Sequence, residues 1–320
     1  MKILITGGFG FLGGRIAQFF VSEGHKVFIG TSRNVDSQDI LFAGADVVHT
    51  PWNNLEKLDE ACVDIDIIIH ASGMNAKDCY DDPVAALSIN VVATANILQS
   101  AINNNVKRFL YISTIHVYTD KLYGKIAEVD CPSNLHPYAS SHRAAEDVVL
   151  WAQENKLIDS IVVRISNGFG VPIRVNTNCW MLLINDLCRQ AVEHKQLVLT
   201  SNGIQVRNFI PISEICSAIN FLVCQLPFEE RVGQSGPINV GGKDSLSVLE
   251  MAKLIQLRCG AILSYTPDLV VRKQNDSEAL TQLDFQMNRL KDLGYSHVHH
   301  LTEELDRLLM YCNDSFSESE

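Results

Sequence analysis

The sequence predicts an α/β protein, a doubly wound parallel sheet with a smaller C-terminal α/β substrate-binding domain, and three observations carry that reading. Short apolar runs that do not alternate, such as Ile3 to Ile5 and Ile67 to Ile69, suit strands buried on both faces of a sheet. Stretches of helical period separate these runs, as right-handed crossovers between parallel strands require. The first run ends in Gly7, Gly8, Gly10 and Gly13, a glycine-rich turn that opens on a helix. A chain of 320 residues can bury one large core or two modest ones.

The elements follow in order. After the first strand, Arg15 to Val21 carries Ile16, Phe19 and Phe20 at helical spacing. The glycines between them allow a tight turn and a close backbone approach, while the helix N-terminus presents free N–H groups to an anion. Alone, such a turn is also an ordinary strand-to-helix connection; its place between an N-terminal strand and a helix favours a dinucleotide. The second strand, Lys26 to Ile29, ends in Gly30-Thr31-Ser32-Arg33, with no carboxylate to hold ribose hydroxyls. Ser32 and Arg33 suit a ribose 2′-phosphate, which favours NADP(H) over NAD(H); the rival reading is a solvated loop charge. Ala45 to His49 is the third strand, followed by Thr50-Pro51-Trp52, and Asp66 to His70 the fourth, followed by the small residues Ala71-Ser72-Gly73.

Pro83 to Asn104 reads as a long helix containing Asn90, and Arg108 to Ser113 as the fifth strand, with Thr114 next. A helix from Pro137 to Trp151 has proline in its first turn and Ala144, Val148 and Trp151 on one stripe. On it Tyr138 and His142 stand one turn apart and share a face. Ser160 to Ser166 is a further buried strand. Beyond Pro172 the pattern changes to a helix from Trp180 to Val192, striped by Met181, Ile184, Leu187 and Cys188, and a strand from Leu197 to Leu199. Pro237 to Gly242, a helix from Ser245 to Leu257, and a helix from Thr302 to Tyr311 with Leu305, Leu308 and Leu309 inward complete the chain. The dinucleotide-binding domain is assigned to 1–171 with a returning segment at 206–243, and the substrate domain to 172–205 and 244–312. The acidic, serine-rich 313–320 is expected to be a frayed tail.

Taken together, Thr6 to Gly13 (TGGFGFLG), Thr114, Tyr138-x-x-x-His142, Arg164 to Pro172 (RISNGFGVP) and Val206 to Ile212 (VRNFIPI) resemble the extended branch of the short-chain dehydrogenase/reductase superfamily, which acts largely on nucleotide sugars. The resemblance implies a Rossmann-type sheet. It implies cofactor contacts at Gly7, Gly10, Phe11, Leu12, Gly13, Ser32, Arg33, Ala71, Gly73 and Asn90, with Tyr138 and His142 near the nicotinamide. Tyr138 would move the proton, Thr114 would hold the sugar oxygen, and Asn167, Arg207 and Arg272 would hold the substrate. Arg272 is paired in this reading with Asp276. His116, two residues before Tyr118, stands where relatives carry an acid or base, and is equally readable as a structural histidine.

The departure is His142, where the family has lysine. A fixed charge near 4 Å at an effective dielectric of about 20 is worth ~4 kcal/mol, on the order of three pKa units on a phenol. Imidazole is mostly neutral at pH 7, so Tyr138 would stay protonated and serve as an acid. This favours reduction of a nucleotide-linked 4-keto-sugar, in deoxysugar or surface-polysaccharide synthesis. A 4-epimerase with retained NAD and a catalytically silent nucleotide-binding protein are the rivals.

The net charge of -11 argues against nucleic-acid or anionic-membrane partners. Nine scattered cysteines without C-x-x-C pairs suit a reducing compartment rather than disulfides, and no metal site is expected. No apolar run looks long enough to span a bilayer, and the expected location is cytoplasmic. The resemblance implies a homodimer through the helices at Pro83 to Asn104 and Pro137 to Glu154.

Overall fold

The computed structural model describes residues 1–33, 42–227, 236–272 and 282–317. The chain begins β1 (Lys2–Thr6), α1 (Phe11–Ser22), β2 (Lys26–Thr31), β3 (Ala45–His49), α2 (Leu55–Cys62) and β4 (Ile67–His70). Next come α3 (Ala76–Asp81), α4 (Pro83–Ala86), a π-helical segment at Leu87–Val92, α5 (Ala93–Asn103), β5 (Arg108–Thr114), β6 (Gly124–Ile126), α6 (Pro137–Glu154), β7 (Asp159–Ile165) and β8 (Asn167–Phe169). The remainder holds α7 (Leu183–Glu193), β9 (Gln196–Leu199), β10 (Val206–Pro211), α8 (Ile212–Asn220), β11 (Ile238–Val240), β12 (Ser245–Ser247), α9 (Val248–Ile262), β13 (Asp268–Val271), β14 (Leu283–Phe285), α10 (Asn288–Asp292) and α11 (Leu301–Phe316).

Seven strands form one parallel sheet in the order β3-β2-β1-β4-β5-β7-β11. The chain winds outward from β1 to β3, then crosses back to β4 and continues the other way. A crevice therefore opens at the carboxyl ends of β1 and β4, where the strand order reverses. The continuous apolar runs have their reason in the two faces. Ile3, Ile5, Ile67 and Ile69 pack into one core layer, and Leu4, Ile68 and Phe109 into the other. A third core gathers α7, α9 and α11 around Leu187, Met251, Ile255 and Leu308.

Several helices differ from the sequence reading. On α6 the buried face is Ser141, His142, Ala145, Glu146, Val149 and Ala152, one position away from the expected stripe, and Trp151 is exposed. Small residues and two polar groups face the sheet because α6 lies close against it. In α7, Ile184, Leu187 and Cys188 are buried, but Trp180 to Leu182 precede the helix and Met181 is exposed. At the end of the chain α11 carries on through Phe316, whose ring packs on Trp180 at 4.9 Å, so Asp314 to Phe316 are helical rather than frayed. Pro83–Asn103 is, by length and composition alone, apolar enough to cross a membrane, where the sequence reading finds no such stretch. That apolarity serves packing, since Ile97, Leu98 and Ala101 join Leu58 and Val149 in the core layer under the sheet.

One buried ion pair ties this layer together. Arg164 on β7 grips Glu146 on α6 through Nε and Nη2, the latter at 2.6 Å, and Ser113 on β5 donates to the same carboxylate. Both partners are almost wholly buried. Removing one would leave the other charge desolvated and alone, so Glu146→Ala is expected to cost about 3–5 kcal/mol. Urea unfolding of the variant beside the parent protein measures that loss.

Candidate active site

The site begins with the turn after β1. Gly7 has φ of +69°, and a Cβ there would lie 2.7 Å from the Ala71 carbonyl oxygen. A Cβ on Gly13 would strike the Gly7 carbonyl, and one on Gly10 would come within 3.1 Å of it. Gly10 caps α1 without a side chain, which leaves the N–H groups of the first helical turn open to an anion. The turn forms one wall of a cavity of about 470 Å³ that also takes in Ser32 and Arg33 at the end of β2 and Ala71 and Gly73 after β4. A dinucleotide fits this cradle, because side chains in place of these glycines would fill it or force the turn apart.

Not every expected cofactor residue lines this cavity. Gly13 packs against Gly7, and Phe11 and Leu12 lie in the first turn of α1 rather than on the cavity wall. Asn90 lies just behind the wall: its Oδ1 accepts from the Met74 N–H at 2.8 Å, and its Nδ2 donates to Ser141 Oγ at 2.9 Å. The cavity also includes Thr50, Trp52, Arg174 and Asn178, which sequence reasoning missed. Of these, Thr50 and Trp52 follow a strand that reaches the crevice, a position that could have drawn attention to them.

Tyr138 and His142, also expected near the cofactor, are buried behind the cavity wall rather than on it, and burial sets their chemistry. Tyr138 and His142, one turn apart on α6, have ring centroids 4.6 Å apart in an edge-on arrangement. His142 Nε2 would lie 3.8 Å from a Cβ on Gly73, so the imidazole stands next to a residue that lines the cavity. Its Nδ1 lies 2.7 Å from the Tyr111 hydroxyl. Burial, with His116 nearby, lowers the His142 pKa to about 4. Tyr138 is raised by burial above the ordinary phenol value, with Thr114 pulling the other way. At neutral pH the pair is therefore an uncharged imidazole beside a protonated phenol.

A second cavity of about 350 Å³ brings together His116, Asn167 and Arg207. The His116 ring lies 6.5 Å from that of Tyr138. Burial lowers the His116 pKa to about 4, and Arg207 adds to the effect. Arg207 is itself largely desolvated and has no carboxylate within ion-pair distance among the described residues. Asn167 Nδ2 donates to the Asn208 carbonyl at 2.9 Å, and Asn208 in turn exchanges two hydrogen bonds with the backbone of Gly242. Asn208 is thus a structural clasp. Arg272 is not brought to this cavity; it is exposed at the end of β13, and Asp276 lies outside the described residues.

The sequence profile of the NAD dependent epimerase/dehydratase family matches residues 3–241. The chain belongs to this family. A low-salt glycan biosynthesis protein of Haloferax volcanii, Agl12, is 26% identical over 80% of this chain and 81% of its own length. UDP-glucuronic acid decarboxylase 1 of Xenopus tropicalis is 26% identical over 97% of this chain and 72% of its own. Among solved structures, the UDP-glucuronic acid 4-epimerase of Bacillus cereus in complex with UDP-glucuronic acid and NAD superimposes with a TM-score of 0.79, at 21% identity over 99% of this chain and 100% of that one. Within this family fold, the crevice of the parallel sheet is where the cavities above lie.

Acid should loosen the site. The histidines His116 and His142 titrate near 6.5 when unfolded and about 4 when folded, and His70, buried between Thr6 and Thr94, about 3. Their folded values are depressed, so the stability linked to them is fully present above about 6.5 and is lost as pH falls towards 4. Thermal unfolding measured between pH 7.5 and 4.5 should show a falling midpoint across that window.

Proposed function

We propose that the chain is an NADP(H)-dependent reductase of a nucleotide-linked sugar, acting on a 4-keto group. The observation that supports this is the uncharged His142 beside Tyr138. With no fixed cation next to it and burial raising its pKa, Tyr138 keeps its proton on Oη at neutral pH and is ready to give it away. Thr114, whose Oγ1 accepts from the His116 N–H at 3.2 Å, holds the ketone oxygen beside the phenol. A nicotinamide cofactor held in the larger cavity would supply the hydride. As the carbonyl carbon is reduced, Tyr138 protonates its oxygen. Arg207, a desolvated guanidinium facing the smaller cavity, holds the substrate diphosphate, and Asn167 lies beside it. Gly7, Gly10 and the N-terminus of α1 hold the cofactor pyrophosphate, and Ser32 and Arg33 its 2′-phosphate.

A second reading is a 4-epimerase with retained NAD, favoured by the relationship to a UDP-glucuronic acid 4-epimerase solved with NAD. Epimerisation needs Tyr138 as a base in one half of the cycle, which the neutral His142 disfavours. We also propose a homodimer: Val84, Leu87 and Val92 on the long helix and Trp151 on α6 are exposed apolar side chains on adjoining elements.

Fluorescence titration separates these readings. NADPH should bind reversibly and about tenfold more tightly than NADH, and Arg33→Ala should remove that preference, since one charge-assisted contact is worth about 1.5–3 kcal/mol. NAD that copurifies tightly would support the epimerase, and failure to bind either cofactor would count against both. The variant His142→Lys should raise alcohol oxidation at pH 7 at least about tenfold, because a nearby cation acidifies the phenol. An unchanged oxidation rate would remove the link between His142 and the direction of the reaction.

A further inference from the structure

Tyr111, in the middle of β5, is fully buried beneath α6, and its hydroxyl has one hydrogen-bond partner among the described residues, His142 Nδ1 at 2.7 Å. Two arrangements satisfy that distance. If Nδ1 carries the proton, it donates to the phenol oxygen, and the buried Tyr111 proton is left without an acceptor. If Tyr111 donates to Nδ1, the buried phenol is paired and the imidazole proton sits on Nε2, which has no partner among the described residues but is not fully enclosed. Buried donors are rarely left unpaired, so the second arrangement is the one the geometry selects. Burial also holds the Tyr111 pKa well above its ordinary value, which keeps its proton in place.

The free nitrogen, Nε2, lies on the side of Gly73, which lines the larger cavity. Around the ring stand Tyr138, Asn90 and His116, all neutral, while the nearby Glu146 is taken up by Arg164 and Ser113. We propose that Tyr111 is a positioning residue that locks His142 in its Nε2–H tautomer, so that a neutral imidazole offers one directed hydrogen bond to a hydroxyl of the cofactor ribose. The tautomer stands on the geometry alone; the ribose contact rests on the nicotinamide reading given above. Nothing within the histidine sets this, since an isolated imidazole can carry its proton on either nitrogen.

Long-range proton–nitrogen correlation spectra of the cofactor-free, ¹⁵N-histidine-labelled protein read the tautomer directly, with His142→Gln identifying the resonance. A protonated Nε2 in the parent protein is expected. In Tyr111→Phe the resonance should shift towards a mixture of tautomers, and NADPH should bind roughly fivefold more weakly, the loss of one well-placed hydrogen bond. A protonated Nδ1 in the parent protein would overturn the proposal, as would Tyr111→Phe keeping both tautomer and affinity. Should that variant not fold, the parent spectrum decides alone. A protonated Nε2 in a protein that does not bind NADPH would leave the tautomer standing and overturn the ribose contact together with the nicotinamide reading.

Discussion

The arrangement of the site depends on a carboxylate with no access to water. Glu146 joins α6 to β7 through Arg164 and to β5 through Ser113, and Arg164 also lies over the Tyr118 ring at 4.6 Å. Tyr118 continues the network by donating to Asn239, the residue after the first position of β11. Four of the elements that surround the crevice are thereby held by one set of interlocking polar groups. Desolvating two charges is expensive unless their geometry is good, and here the carboxylate receives a two-point grip from the guanidinium. Tyr138 and His142 sit two turns and one turn before Glu146 on the same helix. Their placement relative to Thr114, at the end of β5, follows from that anchor.

The crevice that results divides its electrostatics. Behind Gly73 the titratable side chains Tyr111, Tyr138 and His142 are all neutral near pH 7, because burial opposes charge on each of them. In the smaller cavity Arg207 keeps its charge despite desolvation, since guanidinium does not give up its proton. One side of the crevice is thus cationic and the other uncharged.

Much of this was legible in the sequence because it rests on local rules. A strand buried on both faces needs a continuous apolar run, a close approach to a backbone needs glycine, and a four-residue spacing puts Tyr138 and His142 on one helical face. Partners far apart in sequence were not legible. Nothing in RFLYIS shows that Tyr111 meets His142, or that Asn208 clasps Gly242, because those pairings arise only when strands and helices have found their neighbours. The buried face of α6 was misread for a related reason. Apolar residues mark a helix face that meets a core, but α6 approaches the sheet so closely that alanine, serine and two hydrogen-bonded polar residues occupy it instead.

The π-helical segment between α4 and α5 places Asn90 in a widened turn, from which it reaches both Met74 and Ser141. Such a turn holds one residue more than an α-helix of the same rise. Deleting one residue between Leu87 and Val92 would restore regular winding and keep the helix beyond it in register, so Ile97 and Leu98 would stay in the core that buries them. What would be lost is the widened turn that lets Asn90 reach Met74 and Ser141. The extra residue thus serves a bridge rather than the core: through Asn90 it joins the loop after β4 to the helix that carries Tyr138.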